Sequence, residues 1–238
     1  MLLVTCRADQ EIGAGTTAFS SDAPHRPPNH RVDNERTLSK EYLRIVPLVR
    51  RRITDAGSLK ALAHPLRLAL LEMLVTEGPQ TASQAAVALD DSPSNCSWHL
   101  RKLAEHGFVR AAGGNGRNRP WRAVSEGLAW GDDTAEVESS AAGAGLADLL
   151  LERELQRYRA ARSQQSLEPA PWREATGLHQ SQQWMTAEEA QQVTDQVSAL
   201  FVARAGRLQD PAQRPAGARL VSMVSWLVPA GPPRGRDL

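Results

Sequence analysis

Ser92-Pro-Ser-Asn-Cys-Ser-Trp-His-Leu-Arg-Lys-Leu-Ala-Glu-His-Gly107 is the stretch about which the rest of the chain is arranged. Ser92 suits an N-cap, and Pro93 suits the first helical position, where an N–H has no partner anyway. Gly107 offers the left-handed conformation that closes a helix. A turn of about 100° per residue puts Cys96, Leu100 and Leu103 on one face. Ser94, Ser97, Trp98 and Arg101 fall on the opposite face, with Asn95 and Lys102 on its flanks. One side is built to pack on a core, and the other presents donors, acceptors and charge. A helix lying in a DNA major groove has those two sides.

The residues C-terminal to this helix extend the pattern. Phe108 to Ala112 reads as a short strand, Gly113 to Arg119 as a turn with arginines at its tip, and Pro120 to Val124 as a returning strand. Between Ser92 and Arg122 stand six basic residues (101, 102, 110, 117, 119 and 122) and one acid, Glu105, although the whole chain is only +1. Positive charge concentrated locally is the footprint of a phosphate-binding surface.

The residues N-terminal to it complete a unit. Pro65 to Leu74 predicts a helix that starts on proline and carries Leu66, Ala69, Leu70, Met73 and Leu74 at helical spacing. Gly78-Pro79 breaks it. Thr81 caps a second helix whose face of Ala82, Ala85, Ala86 and Leu89 is small enough for close approach to a neighbour. The order is helix, helix, turn, helix, β-hairpin, which is a winged helix-turn-helix.

With those elements placed, residues 55–128 resemble the DNA-binding domain of ArsR-type bacterial transcriptional regulators. The resemblance lies in "LKALAHPLRLALLEML", "TASQAAVALD", "CSWHLRKLAEHGFV" and "GNGRNRPWR". It implies a homodimer on a two-fold related double-stranded DNA operator, with His99 at the edge of the DNA face. Candidate DNA contacts are Ser94, Asn95, Ser97, Trp98, His99, Arg101 and Lys102 on helix 93–106, with Arg117 and Arg119 in wing 113–119. Trp98 has two readings, a ring on a sugar or thymine methyl, or a cover for the flank of the domain or for the N-terminal segment. Arg117 and Arg119 enter the minor groove, pair with phosphates, or sit in a solvated turn.

The expected fold class is mainly α with some β: a winged helix-turn-helix domain, then a helical C-terminal region for dimerisation or an effector, with a late strand. Residues 1–37, rich in Pro and Gly with few large apolar groups, read as a disordered segment. The DNA-binding domain spans 38–128, and Arg50-Arg51-Arg52 either touches phosphate or is a solvated run. Residues 129–145, acidic and then Ser/Ala/Gly-rich, read as a linker. Residues 146–228 read as an α+β region that dimerises or senses a small molecule. Its first helix, 145–162, is the candidate dimer surface, and 166–183 is a loop with tryptophans near its ends. Thr186 to Glu189 is a capping box that opens another helix, and the apolar run Leu220–Val228 is a buried strand candidate. A flexible tail, 229–238, ends the chain.

Other chemistry finds little support. Cys96 and His99 lie three apart on one helix, with His106 a turn or two away. A structural zinc needs four ligands, and the preceding helix (Gln84-Ala-Ala-Val-Ala-Leu89) offers none, so no metal or other cofactor is assigned and Cys96 is read as a buried core thiol. Two cysteines in unlike contexts fit a reducing cytoplasm. No apolar run approaches the roughly 18 residues of a membrane span. No nucleophile elbow, phosphate loop or carboxylate pair suggests an enzyme. The competing class is a winged helix that binds protein and not DNA, and the basic wing argues against it.

Overall fold

Side-chain caps start the helices that build the domain. In the computed structural model, which describes residues 3–7, 50–113, 119–125, 127–131 and 137–231, Asp55 caps α1 (Ala56–Leu62) by accepting from the Ser58 N–H at 2.7 Å. His64 Nδ1 accepts from the Leu66 N–H at 3.2 Å and opens α2 (Pro65–Thr76), with Pro65 in the first turn. Thr81 and Gln84 satisfy each other's main chain in a full capping box at the start of α3 (Ala82–Leu89). Ser92 caps α4 (Pro93–Glu105) by accepting from the Asn95 N–H at 3.2 Å. Each cap satisfies a donor that the first helical turn leaves orphaned.

Two left-handed residues bracket α4. Asp90 ends α3 at φ 52°, a conformation that aspartate tolerates better than branched residues. Gly107 follows α4 at φ +69°, as its position in the sequence predicts. The chain then turns into β3 (Val109–Ala111), which pairs antiparallel with β4 (Trp121–Ala123). Gln80 and Trp121 exchange two main-chain hydrogen bonds, 3.0 and 2.7 Å, which tie the hairpin to the entrance of α3.

A second sheet is parallel, in the order β1 (Leu3–Arg7), β5 (Gly127–Gly131), β2 (Arg50–Ile53). The expected disorder of residues 1–37 therefore fails for 3–7, which pair along β5, while residues 8–37 lie outside the described residues. Arg51 places its guanidinium 4.5 Å from the centre of the Phe108 ring, a cation–π contact that engages one of the three consecutive arginines with the protein itself.

One core joins these parts. Leu59 and Leu62 of α1, Leu68, Leu71 and Leu74 of α2, Ala85 and Ala86 of α3, and Cys96, Leu100 and Leu103 of α4 are all buried in it, with Phe108, Val109 and Leu128. Fully burying a leucine side chain contributes about 1.5–3 kcal/mol.

The same core corrects the expected linker at 129–145. α5 (Val137–Ser163) begins eight residues before Gly145 and runs against α1. Leu146 is 0% exposed inside the common core, and Ala142, Ala147, Leu149 and Leu150 pack on it. The Ser/Ala/Gly composition that suggests a linker is here the means of contact, since buried Ser139 and Gly143 are small enough for one helix to lie close to another. Packing outweighs the roughly 1 kcal/mol that each glycine costs a helix. The front half of α5 thus belongs to the winged helix-turn-helix domain, and the boundary expected at 128 falls inside one packed body.

Beyond α5 the chain is mostly exposed. The loop expected at 166–183 contains a 3-10 turn (Gln165–Leu167) and a short helix, α6 (Ala170–Ala175). Thr186 and Glu189 form the predicted capping box at the head of α7 (Ala187–Val202), followed by α8 (Gly206–Gln209). The expected strand at Leu220–Val228 is absent: these residues lie in no helix or strand, and their apolar side chains are exposed. Of the expected tail, residues 229–231 are also outside any regular element, and 232–238 lie outside the described residues.

Candidate nucleic-acid interface

α4 presents its two faces as the spacing predicts. Cys96, Leu100 and Leu103 are 0% exposed, whereas Ser94, Asn95, Trp98 and Arg101 are exposed and Ser97 and Lys102 half-buried. Near the N-terminus of the helix, Asn95 Nδ2 donates to both carboxylate oxygens of Asp91, at 3.0 and 3.1 Å. These bonds hold the Asp91 carboxyl below its usual range, and the Ser92 N–H adds to the effect. They also fix the Asn95 amide. Lys102 pairs with Glu105 at 2.7 Å, so Arg101 is the cation of this helix without an ion-pair partner among the described residues.

His99 departs from the expectation. Its side chain is 5% exposed and turned inward, so it does not stand at the edge of the outer face. Its ring packs on His64, with centroids 4.4 Å apart, and meets Trp98 edge-on at 4.7 Å and 90°. Arg67 Nη1 lies 3.5 Å from His99 Nδ1. Arg67 is itself held by hydrogen bonds to the Ala61 and Lys60 carbonyls, which couples α4 to the end of α1. Burial pushes the His99 imidazole below its ordinary value, with His64 and Arg67 adding to this and Asp91 opposing it. His64 is likewise lowered, by burial and then by Arg67. Two neutral imidazoles beside a guanidinium make a stable arrangement, because protonating either would bring like charges together in a poorly solvated place.

This inner layer props Trp98. The indole is 47% exposed, resting on His99 with one side while the remainder faces solvent beside Arg101. The ring thus covers His99 and is still open on the outer face. Cys96 is a free buried thiol whose pKa is raised by burial and then by Asp91. Among the described residues no three His, Cys, Asp or Glu side chains gather as a metal site would require. His106 instead lies 3.4 Å from the Ser58 hydroxyl, on the far side of the helix end.

The wing adds a pair of arginines beyond the two expected at its tip. Arg110 of β3 and Arg122 of β4 are direct cross-strand partners, and both are exposed. Like charges set opposite each other disfavour a hairpin, so a face that carries them is suited to an anion. In the sequence they appear only as local charge, and it is the register Arg110↔Arg122 that brings the two together. Arg119 is exposed at the start of the returning strand, and Arg117 lies outside the described residues.

The segment 62–111 matches a helix-turn-helix domain family. No curated protein matches the chain. Among solved structures, one of a possible transcriptional regulator for arsenical resistance is 31% identical, covering 44% of this chain and 94% of that one, with a TM-score of 0.26. The homodimeric winged helix-turn-helix DNA-binding domain of a possible ArsR-family regulator from Mycobacterium bovis is 20% identical over 45% of this chain and 82% of its own, with a TM-score of 0.28. Reduced HlyU from Vibrio cholerae is 22% identical over 42% and 84%, with a TM-score of 0.27. No helix among the described residues is long and apolar enough to cross a membrane. With its capped α2–α3–α4 unit, its paired wing and its matched segment, the chain belongs to the ArsR-type winged helix-turn-helix family.

Proposed function

We propose that the chain is a sequence-specific DNA-binding transcriptional regulator that acts as a homodimer. α4 lies in the major groove, and the β3–β4 wing lies on the adjacent minor groove or its phosphates. The observation that carries this reading is the exposure of Ser94, Trp98 and Arg101 on α4 together with that of Arg110, Arg119 and Arg122 on the hairpin that follows it. Arg101 is suited to the two-bond fork on O6 and N7 of guanine, and the wing arginines to phosphate oxygens.

The dimer surface in this reading is the outer stripe of α5. Leu151 and Leu155 stand one turn apart on the helix and are both exposed, while Leu146 on the other side is buried in the core. An exposed leucine pair on a helix anchored in the DNA-binding domain is well placed to set the spacing of two recognition helices. Replacing Leu151 and Leu155 by Asp should give monomers, since burying unpaired charge is costly. Operator affinity should fall with dimerisation.

Binding-site selection from random duplexes, followed by genomic footprinting, tests the reading. A single enriched motif with two-fold symmetry is expected. Equal retention of all duplexes would leave only non-specific binding, and no retention at low salt would remove DNA as the partner.

A further inference from the structure

The run Leu220–Val228 holds seven apolar side chains among nine residues, and none of the seven is buried. Leu220 is 66% exposed, Trp226 67% and Val228 68%, with Val221, Met223, Val224 and Leu227 between 42 and 48%. Together with Leu151 and Leu155, these side chains expose on the order of 800–1000 Å², about the area that one partner contributes to a standard stable interface. Contiguous apolar surface of this extent on a soluble chain marks an interaction site.

The main chain is open as well. Among the described residues, no N–H or C=O of 220–228 has a hydrogen-bond partner within the chain. A run of unpaired main-chain groups flanked by apolar side chains is a template for pairing with another strand. The run is nevertheless held in place. Ser222 Oγ donates to Glu154 Oε2 at 2.6 Å and accepts from Arg157 at 3.4 Å. Glu154 and Arg157 are themselves paired at 3.0 Å, and Arg157 reaches Glu72 of α2 at 2.8 Å. Just ahead of the run, Arg219 binds Glu168 through two bonds, 2.6 and 2.9 Å, and lies 4.8 Å from the Trp172 ring centre. The apolar run is thus moored to α5, the helix that also displays Leu151 and Leu155.

We infer that Leu220–Val228 is a docking segment for a second copy of this chain, pairing antiparallel with the same segment of that copy beside the two α5 helices. Three observations favour a second copy as the occupant. The exposed area matches one side of a stable dimer. The run is continuous with the α5 stripe through Glu154 and Ser222. Its pattern is also self-complementary, since a two-fold axis sets a segment against itself with the strands antiparallel. The strand that the composition predicts would then form only in the dimer, where its main-chain groups gain partners. This inference rests on the proposed homodimer and extends its interface beyond α5.

The test uses the full chain. Val224→Asp and Leu227→Asp, singly and together, are exposed positions, so circular dichroism should show the helices unchanged. Sedimentation equilibrium should show dimer association at least tenfold weaker in the double variant. Val224→Cys should yield a disulfide-linked dimer on mild oxidation, because facing residues of an antiparallel pair lie about 4.5–5.5 Å apart at Cα, within disulfide reach. Wild type carried through the same oxidation gives the background from Cys6 and Cys96. A dimer of unchanged affinity in both Asp variants would overturn the inference. So would a lowered melting temperature with an intact dimer, which would mean that the segment folds onto its own chain. If Leu151→Asp/Leu155→Asp abolishes the dimer while the tail variants leave it intact, only this inference fails. A wild type that is monomeric at every concentration would remove the dimer reading as well.

Discussion

Arg110 and Arg122 face each other across the β3–β4 hairpin as direct register partners, with both side chains in solvent. Such a pairing of like charges is one that a free-standing hairpin disfavours. The wing therefore keeps a local cost that an anionic surface removes.

If the wing rests on phosphates, Arg110→Ala and Arg122→Ala should weaken binding on all duplexes alike. Each should flatten the slope of log K against log salt by about one unit. Relief of the like-charge pair should leave hairpin stability unchanged or raised by a few tenths of a kcal/mol. Salt titrations of both variants, with Arg119→Ala as a third, measure this. Unchanged slopes in all three would take the wing off the DNA.

Arg101 should behave differently. A lost guanine fork costs about 1–3 kcal/mol and relaxes preference at one base pair. Arg101→Ala should therefore reduce specific binding much more than non-specific binding. Parallel site selections on wild type and variant are the measurement. Full retention of the wild-type preference would reduce Arg101 to a phosphate anchor.

Leu100→Ala and Leu146→Ala should act through stability, because both side chains are 0% exposed in one core. Each should cost about 2–5 kcal/mol, with sequence preference kept in the protein that remains folded. The Leu146 result is the more informative, since a separate C-terminal domain would leave the winged helix-turn-helix domain's melting transition untouched. A single lowered transition would show α5 melting together with α2–α4.

Acid should loosen the packing beneath α4. His64 and His99 are held below the ordinary imidazole value of 6.5. As pH falls through that value, the unfolded chain takes up protons that the folded chain resists, so these two histidines make stability fall. The loss begins near the ordinary value and continues down toward the lowered one. Melting temperatures from pH 7.5 to 5 should drop more steeply in wild type than in His99→Gln. Equal slopes would mean that His99 takes its proton as readily folded as unfolded.

Glu72 joins α2 to α5 by accepting from Arg153 and from Arg157, the latter at 2.8 and 3.0 Å. Its side chain is 17% exposed, so the pairing is partly shielded from water. Glu72→Gln should lower stability by about 1–3 kcal/mol. Glu72→Gln combined with Arg157→Gln should cost less than the sum of the two singles. Additive losses would mean that the two side chains act independently.

Elements whose cause lies within a few residues are legible in the chain alone. Ser92-Pro93 starts α4, Gly107 ends it, Thr81 with Gln84 opens α3, and Thr186 with Glu189 opens α7, because caps and left-handed turns are made by neighbours along the backbone. The burial of Cys96, Leu100 and Leu103 is legible for the same reason, since helical spacing alone assigns a face. Other features arise only when distant segments meet. Residues 137–145 are helical because α1 covers their small-residue face, a contact made by residues some eighty positions away, whereas their composition taken alone reads as a linker. His99 turns inward because His64 and Arg67 lie beneath it, on a helix whose approach local spacing does not encode. Arg110 meets Arg122 only through the register of a hairpin whose strands are separated by a turn. Leu220–Val228 carries the composition of a strand but has no main-chain partner among the described residues, and a strand needs one: its hydrogen bonds, unlike a helix's, are always made with another segment.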